Sequence, residues 1–205
     1  IGQLTKIECL DLRKTKVACL PESIGLMSGL KKIQVAPALE QLPEGIGRLK
    51  KIHQLDLSNT QIRQLPNDIS EMSGLKSLLL MKTRIQRLPE IMKGWKNLKV
   101  LNLTGSSLAF LPEEIGVLES LEYLHLGGTG IRTLPASVGK LKNLKELTLD
   151  GTRIEILPEE ICSLKRLQRL SLSKSRVKAL PSAIGELSGL VQLDISETQI
   201  DYIPD

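Results

Sequence analysis

The chain repeats one spacing of hydrophobic and polar residues from end to end. One full unit runs from Leu141 to Pro158 and reads L-x-x-L-x-x-L-x-L-x-x-T-x-I-x-x-L-P, where x is mostly polar. Within this unit, Leu147 and Leu149 alternate with polar residues, which is the pattern of a strand with one buried face. Each unit is therefore predicted to contribute one short strand followed by a turn.

Proline gives the length of the unit. A leucine or isoleucine precedes proline nine times; the first interval between these prolines is 22 residues and the other seven are 23. One unit cannot bury its own hydrophobic face, but stacked units bury it against each other. Residues 1–205 are thus predicted to form a single solenoid of about nine repeats with parallel strands. The marking prolines are Pro21, Pro43, Pro66, Pro89, Pro112, Pro135, Pro158, Pro181 and Pro204.

A threonine or serine follows each predicted strand, except in the second unit. Its hydroxyl group can donate and accept hydrogen bonds, so we expect it to hold backbone groups of the turn. The second unit is one residue shorter than the others, and its turn segment, Val35 to Leu39, has no hydroxyl. We predict a distorted turn there, with Pro37 ending the strand. The hydroxyl residues are Thr15, Thr60, Thr83, Ser106, Thr129, Thr152, Ser175 and Thr198.

The segment after each Leu-Pro pair reads P-x-x-I-G-x-L. Proline suits the first turn of a helix, and acidic residues such as Glu113 and Glu159 suit its positive end. Ile115 and Leu118 are three residues apart and share a helical face. Each segment is therefore predicted to form one or two turns of α- or 3-10 helix. Glycines are expected to permit close packing between units here: Gly25, Gly47, Gly116, Gly139 and Gly185.

These features together resemble the leucine-rich-repeat family, whose pattern is L-x-x-L-x-L-x-x-N-x-L at 20–29 residues per repeat. The resemblance covers the whole chain, with threonine or serine in place of the usual asparagine. The 23-residue L-P-x-x-I-G-x-L unit is similar to those of intracellular Ras-group proteins, plant nucleotide-binding immune receptors and some bacterial effectors. The resemblance implies an α/β solenoid, or horseshoe, with a parallel concave sheet and short α- or 3-10 segments on the convex side.

The two ends of the chain fall within repeats. The chain begins with Ile1-Gly2-Gln3-Leu4, which matches the I-G-x-L segment, and stops at Ile203-Pro204-Asp205. Neither end carries a polar capping sequence, which solenoids need for solubility. We therefore expect an uncapped array that is a fragment of a longer protein.

Amino-acid composition limits the possible ligands and the cellular location of the chain. The net charge of +5 comes from 28 basic and 23 acidic residues that are interleaved, which does not favour a dedicated nucleic-acid binder. No apolar run approaches the roughly 20 residues that would span a membrane. The number of cysteines is odd, and the spacing of Cys9, Cys19 and Cys162 suggests no disulfide framework. This favours a reducing environment, and therefore an intracellular, cytoplasmic location. The triplet Asn102-Leu103-Thr104 is interpreted as a chance glycosylation motif.

The sequence carries no motif for catalysis or for a cofactor. His53 and His125 are far apart, the cysteines are dispersed, and there is no phosphate-binding G-x-x-x-x-G-K-[ST] motif. His125 lies one repeat before Thr148 and Asp150, but a general base also needs an oriented nucleophile. We therefore expect neither an enzyme nor a metal or cofactor site in this chain.

The concave sheet is the predicted binding face, since the resemblance implies that partners engage it. Leu79, Met81, Val100 and Tyr123 are predicted to form an apolar patch on an otherwise polar face, which is typical of an interface centre. The alternative is that these are tolerated surface residues. The residues expected to bind a partner protein are Leu79, Met81, Arg84, Val100, Asn102, Tyr123, His125, Arg153 and Arg169.

Other functions stay open at this point. The concave charges could form an ordinary solvated face, steer an acidic partner or contact nucleic acid, although Tyr123 is the only aromatic residue predicted there. The array could also be the substrate-selecting arm of a multidomain enzyme or receptor, or a spacer between domains. The identity of the partner and the oligomeric state do not follow from the sequence.

Overall fold

The computed structural model describes residues 1–204, and within them nine short strands form one parallel sheet in sequence order. This confirms the predicted leucine-rich-repeat solenoid. We call the part of the chain that contains each strand a coil and give it the strand's number. The strands are β1 Cys9–Asp11, β2 Lys32–Gln34, β3 Gln54–Asp56, β4 Ser77–Leu79, β5 Val100–Asn102, β6 Tyr123–His125, β7 Glu146–Thr148, β8 Arg169–Ser171 and β9 Gln192–Asp194.

Short 3-10 helices connect the strands on the convex side. Of the two forms predicted for these segments, α-helix and 3-10 helix, the described residues contain only the 3-10 helix. Proline precedes each five-residue helix instead of starting it: Pro112, for example, has extended backbone angles (φ −74°, ψ 158°). The prediction of proline within the first turn was wrong by one residue. The helices are η1 Glu22–Leu26, η2 Glu44–Arg48, η3 Asn67–Glu71, η4 Lys93–Trp95, η5 Glu113–Val117, η6 Ala136–Lys140, η7 Glu159–Ser163 and η8 Ile184–Glu186.

The core is one continuous hydrophobic cluster inside the coils. The middle residues of β2 to β8 are buried in it, and from β3 to β8 these residues pair in register from strand to strand. Leu124, Leu147 and Leu170 are fully buried and occupy this position in β6, β7 and β8. The 23-residue spacing thus places equivalent leucines beside each other, which buries side chains that no single coil could cover.

The hydroxyl residues hold the turns as predicted in most coils. In six turns the hydroxyl donates to the carbonyl oxygen three residues earlier, at 2.6–2.8 Å. The residue before each hydroxyl has a left-handed backbone with φ between 53° and 68°. The hydroxyl groups of Ser106 and Ser175 are buried but have no hydrogen-bond partner within the described residues. The six paired hydroxyls belong to Thr15, Thr60, Thr83, Thr129, Thr152 and Thr198.

This difference predicts unequal effects on stability for two small substitutions. Thr129→Val removes a buried hydrogen bond to Leu126, so we expect the free energy of unfolding to fall by about 1–2 kcal/mol. Ser106→Ala removes a buried hydroxyl without a partner, so we expect a change of about zero or a small gain. Urea denaturation of both variants checks this. Equal losses would mean that the turn hydroxyls do not act through these bonds.

The second coil is distorted, as predicted. β2 and β3 pair only through Gln34 and Asp56, whereas the other neighbouring strands pair through three residues each. Pro37, however, does not end the strand, because β2 stops at Gln34 and has the same length as the others. The shorter turn, which lacks the left-handed residue, disturbs the pairing instead.

Acidic residues after proline act between coils rather than within one. The Glu22 carboxylate accepts a hydrogen bond from the backbone N–H of Gly45 at 2.9 Å, and Glu113 accepts one from Ser137 at 3.2 Å. Each carboxylate therefore satisfies a free N–H at the start of the next 3-10 helix. Glycine permits this stacking: a Cβ on Gly47 would collide with the backbone of the next coil. Gly185, by contrast, is exposed.

The fourth coil departs from this pattern on the convex side. Lys93 stands where five other coils have glycine, and η4 is only three residues long. Trp95 occupies the core position that is leucine in most coils; it is fully buried and donates from its indole N–H to the carbonyl oxygen of Ile69 at 2.9 Å. A cleft of about 500 Å³ opens between coils three and four, with exposed Ile91 in its wall.

An ion-pair ladder crosses coils five to seven just before their strands. The Glu122 carboxylate lies 2.8 Å from the ammonium group of Lys99 and 2.6 Å from that of Lys145. Hydrogen bonds from these two cations lower the pKa of Glu122 to about 2. The ladder adds a polar tie between three successive coils.

Candidate binding face

Two rows of side chains cover the concave face, because the first and third residues of each strand point away from the core. In the first row, Val100, Tyr123 and Glu146 are in register on β5, β6 and β7. In the second row, Asn102 and His125 continue from Leu79 on β4. Neighbouring parallel strands lie about 4.8 Å apart, so side chains within a row are within contact distance.

Three of the four predicted apolar residues lie in the two rows on adjacent strands, and Met81 lies in the turn just after β4. Val100 and Tyr123 are direct neighbours in the first row, whereas Leu79 and Met81 follow each other along coil four. Leu79 pairs with Asn102, so it meets Val100 only diagonally. All four are half-buried. We call Leu79, Met81, Val100 and Tyr123 the concave patch.

The structure brings six of the nine predicted binding residues together and leaves three outside. Asn102 and His125 adjoin the concave patch, while Arg169 lies two strands beyond it on β8. Arg84 and Arg153 are not on the sheet, because each follows the buried threonine of its turn and lies on the loop beyond the strand. The left-handed residue of the turn redirects the chain before these arginines, which simple counting from the strand did not take into account.

Tyr123 and His125 form the aromatic centre of the face. Their rings are stacked, with centroids 6.5 Å apart and an interplanar angle of 20°. The His125 Nδ1 atom lies 3.3 Å from the hydroxyl of Thr148 and 3.9 Å from a carboxylate oxygen of Glu146. Glu146 in turn lies 3.9 Å from Nε of Arg169.

Burial has the largest effect on the protonation of His125. It lowers the pKa of the imidazole below its ordinary value; the Glu146 carboxylate opposes this shift, and Arg169 adds to it. His125 is therefore neutral at pH 7, with one ring nitrogen donating and the other accepting a hydrogen bond. The side chain offers a partner a hydrogen-bonding group beside an apolar surface.

Glu146 and Thr148 connect the concave patch with Arg169 but were not among the predicted binding residues. A signal for them is present in the sequence, since they lie 23 residues after Tyr123 and His125. Gly105 and Gly128 lie at the turn edge beside the patch, each with a φ of +68°. Without side chains, they leave the backbone open to an approaching chain.

The arrangement around His125 does not resemble a catalytic triad. One carboxylate oxygen of Asp150 accepts hydrogen bonds from the Ser171 hydroxyl and from the Ser173 N–H, the latter at 3.1 Å, and within residues 1–204 no hydrogen bond joins Asp150 to His125. Among residues 1–204 no three histidine, cysteine, aspartate or glutamate side chains cluster as a metal site would require. In the same residues no helix is long and apolar enough to cross a membrane.

Comparison with known proteins agrees with this architecture. The profile of the leucine-rich repeat region matches residues 94–152 and 137–205, which together are more than half of the chain. The chain therefore belongs to the leucine-rich-repeat family. No curated protein matches it significantly.

Several solved structures share the fold. A leucine-rich-repeat protein of Leptospira interrogans is 30% identical to this chain in sequence, with a TM-score of 0.88. The match covers 100% of this chain and 58% of the Leptospira chain. The ectodomain of the Arabidopsis thaliana receptor kinase GASSHO1/SCHENGEN3, in complex with CASPARIAN STRIP INTEGRITY FACTOR 2, is 31% identical (TM-score 0.82; 98% and 25% covered). The plant peptide hormone receptor RGFR1, in complex with RGF2, is 28% identical (TM-score 0.80; 96% and 33% covered). The chain thus spans less than two thirds of each.

Proposed function

We propose that this chain is a protein-binding module whose concave sheet engages a partner protein at the concave patch. The observation that carries the proposal is the position of Leu79, Val100 and Tyr123 on three adjacent strands of an otherwise polar face, with Met81 two residues after Leu79. Aromatic residues and methionine are enriched at interface centres, and anchor residues cluster where water is excluded. The rigid sheet holds these side chains in place before a partner arrives, which lowers the entropic cost of binding.

Polar residues around the patch suit the rim of an interface. Asn102 and neutral His125 can donate and accept hydrogen bonds next to the apolar centre. The Glu146 and Arg169 pair has partly exposed groups of both signs, which favours a partner with complementary charges. Arg84 and Arg153 contribute to the attraction of an acidic partner from outside the sheet.

Two of the related structures support a protein or peptide as the partner, since each receptor is seen in complex with a peptide hormone or an integrity factor. We extend that role to this chain, as a scaffold or a receptor-like module in signalling, with no catalytic step of its own and no nucleic acid as ligand. The 23-residue unit further suggests a relation to Ras-group proteins and plant immune receptors. The second candidate is the substrate-selecting arm of a multidomain enzyme or receptor.

We propose a reducing, cytoplasmic location on the basis of the cysteines. Cys9, Cys19 and Cys162 are all free thiols, and the first two are exposed. Exposed thiols are better tolerated where glutathione keeps them reduced.

Affinity capture from an extract of the source cells tests the binding face. The extract is treated with nuclease and used at moderate salt, with the unmodified chain and with the triple variant Leu79→Ser, Met81→Ser, Tyr123→Ala. We expect the captured partner to be lost with this variant, since it removes the apolar centre. The convex variant Leu26→Ser, Val117→Ser is the matched control, because both side chains are exposed on the opposite side.

The two variants separate the possible outcomes, once circular dichroism shows that both are folded. Loss with the concave variant and retention with the convex variant supports the proposal. Equal capture by the unmodified chain and the concave variant contradicts it, and so does loss with the convex variant alone.

A further inference from the structure

One side of the solenoid carries exposed residues that lie outside the concave patch. We call it the lateral face: the residues one, three and four positions after the turn hydroxyl, between the sheet and the next 3-10 helix. After Thr83, for example, these are Arg84, Gln86 and Arg87. The backbone is well held there, since the N–H of Arg84 donates to the carbonyl of Ile62 in the previous coil at 3.0 Å.

Positive charge is concentrated on this face. In coils three to nine it holds seven basic side chains and two acidic side chains, Asp201 and Glu155, the second of which is already paired with Lys178 at 2.8 Å. In the part of the chain that the structure describes, the side chains of the six arginines on this face have neither an ion-pair partner nor a hydrogen bond. They are Arg63, Arg84, Arg87, Arg132, Arg153 and Arg176.

Hydrophobic side chains lie among these arginines at a regular spacing. Phe110, Ile156 and Tyr202 occupy the same position in coils five, seven and nine, and their exposed fractions are 53%, 73% and 62%. Two coils span about 10 Å, because neighbouring parallel strands lie about 4.8 Å apart. A partner that contacts all three must therefore present apolar groups at about this interval.

We propose that the lateral face binds an extended acidic segment of a partner protein. Guanidinium groups bind carboxylates through two parallel hydrogen bonds, and arginines with aromatic residues are the composition of protein interfaces. A polyproline II segment repeats every three residues, about 9.3 Å, so apolar side chains at every third position match the spacing of Phe110, Ile156 and Tyr202. Acidic residues between them then face the arginines.

Nucleic acid fits this face less well. Single strands need aromatic rings on which successive bases stack. The two rings here, Phe110 and Tyr202, are four coils apart, or about 19 Å, which is too far for neighbouring bases.

A synthetic peptide tests the proposal directly. The probe is a fluorescent peptide of four Leu-Glu-Pro repeats, and its binding to the chain is followed by anisotropy at about 0.1 M salt. We expect Arg132→Gln, Arg153→Gln, Arg176→Gln to weaken binding at least about tenfold, since three charge-assisted contacts are lost. The matched control Lys6→Gln, Lys51→Gln, Lys96→Gln removes the same charge from exposed residues on the opposite side and should change affinity less than about twofold.

A second variant tests the apolar positions. Phe110→Ser, Ile156→Ser should weaken binding of the leucine peptide about fivefold and leave binding of a Ser-Glu-Pro peptide unchanged. Equal losses in the arginine and lysine variants would overturn the proposal, because net charge alone would then attract the peptide. It is also overturned if the unmodified chain does not bind the leucine peptide, or if single-stranded RNA or anionic vesicles bind more tightly through the same arginines.

Discussion

Leu147→Asp is expected to unfold the coils around β7. The side chain is fully buried between Leu124 and Leu170, and residues 1–204 include no buried lysine or arginine that could pair with a carboxylate there. Burial of an unpaired charge or of a protonated acid without hydrogen bonds should lower the free energy of unfolding by more than about 4 kcal/mol. Because each coil contacts only its neighbours, the loss should spread over adjacent coils rather than stay at one residue.

Hydrogen exchange read by mass spectrometry, together with urea denaturation, measures this effect. The matched control is Leu193→Asp, because Leu193 occupies the same position in β9 but is 37% exposed. We expect that variant to cost about 1 kcal/mol. A melting curve for Leu147→Asp that matches the unmodified chain would show that the assigned register of the repeats is wrong.

Trp95→Ala should have the second-largest effect. Trp95 fills a core position that other coils fill with leucine or methionine, and its indole N–H satisfies the buried carbonyl of Ile69. Loss of the ring creates a cavity and removes one of the two hydrogen bonds to that carbonyl, which the Met72 N–H also reaches at 3.2 Å, so we expect a loss of about 3–5 kcal/mol.

Trp95→Leu is the control for this variant, because leucine occupies the equivalent position as Leu49 and Leu118. It should cost about half as much, since the leucine partly fills the space. Trp95 is the only tryptophan, so unfolding must be followed by circular dichroism instead of fluorescence. A loss below about 1 kcal/mol for Trp95→Ala would contradict the assignment of this residue to the core of coils three and four.

The interval of 23 residues predicted most of the fold, for a physical reason. Equivalent side chains must stack to be buried, so Leu147 and Leu170, which are 23 residues apart, also pair in the sheet. The same rule placed Val100 beside Tyr123 on the concave face. The short second unit predicted a distorted turn in that coil, and the pairing of β2 with β3 is weakened there.

Individual hydrogen-bond partners were harder to predict. The hydroxyls of Ser106 and Thr129 look equivalent in the sequence, yet only Thr129 has a hydrogen-bond partner in the described residues. Glu113 was expected to favour its own helix, but it binds the N–H of Ser137 in the next coil. Such partners depend on side-chain direction, which periodicity alone does not specify.

The position of the charged residues changes the functional interpretation most. Arg84 and Arg153 were predicted for the concave face together with Arg169, but the left-handed turn residues place them on the lateral face. The chain therefore presents two distinct surfaces, an aromatic and apolar concave patch and an arginine-rich side. A partner with a folded domain and an acidic tail could engage both, and the tail would then add to the affinity of the domain.

Site-specific photo-crosslinking to the captured partner tests the central claim most directly. A photoreactive side chain replaces Tyr123 at the concave patch in one variant and exposed Val117 on the convex side in another. Binding at the concave sheet predicts a crosslinked product from position 123 and none from position 117. A product from position 117 alone would contradict the proposal and place the partner on the convex surface.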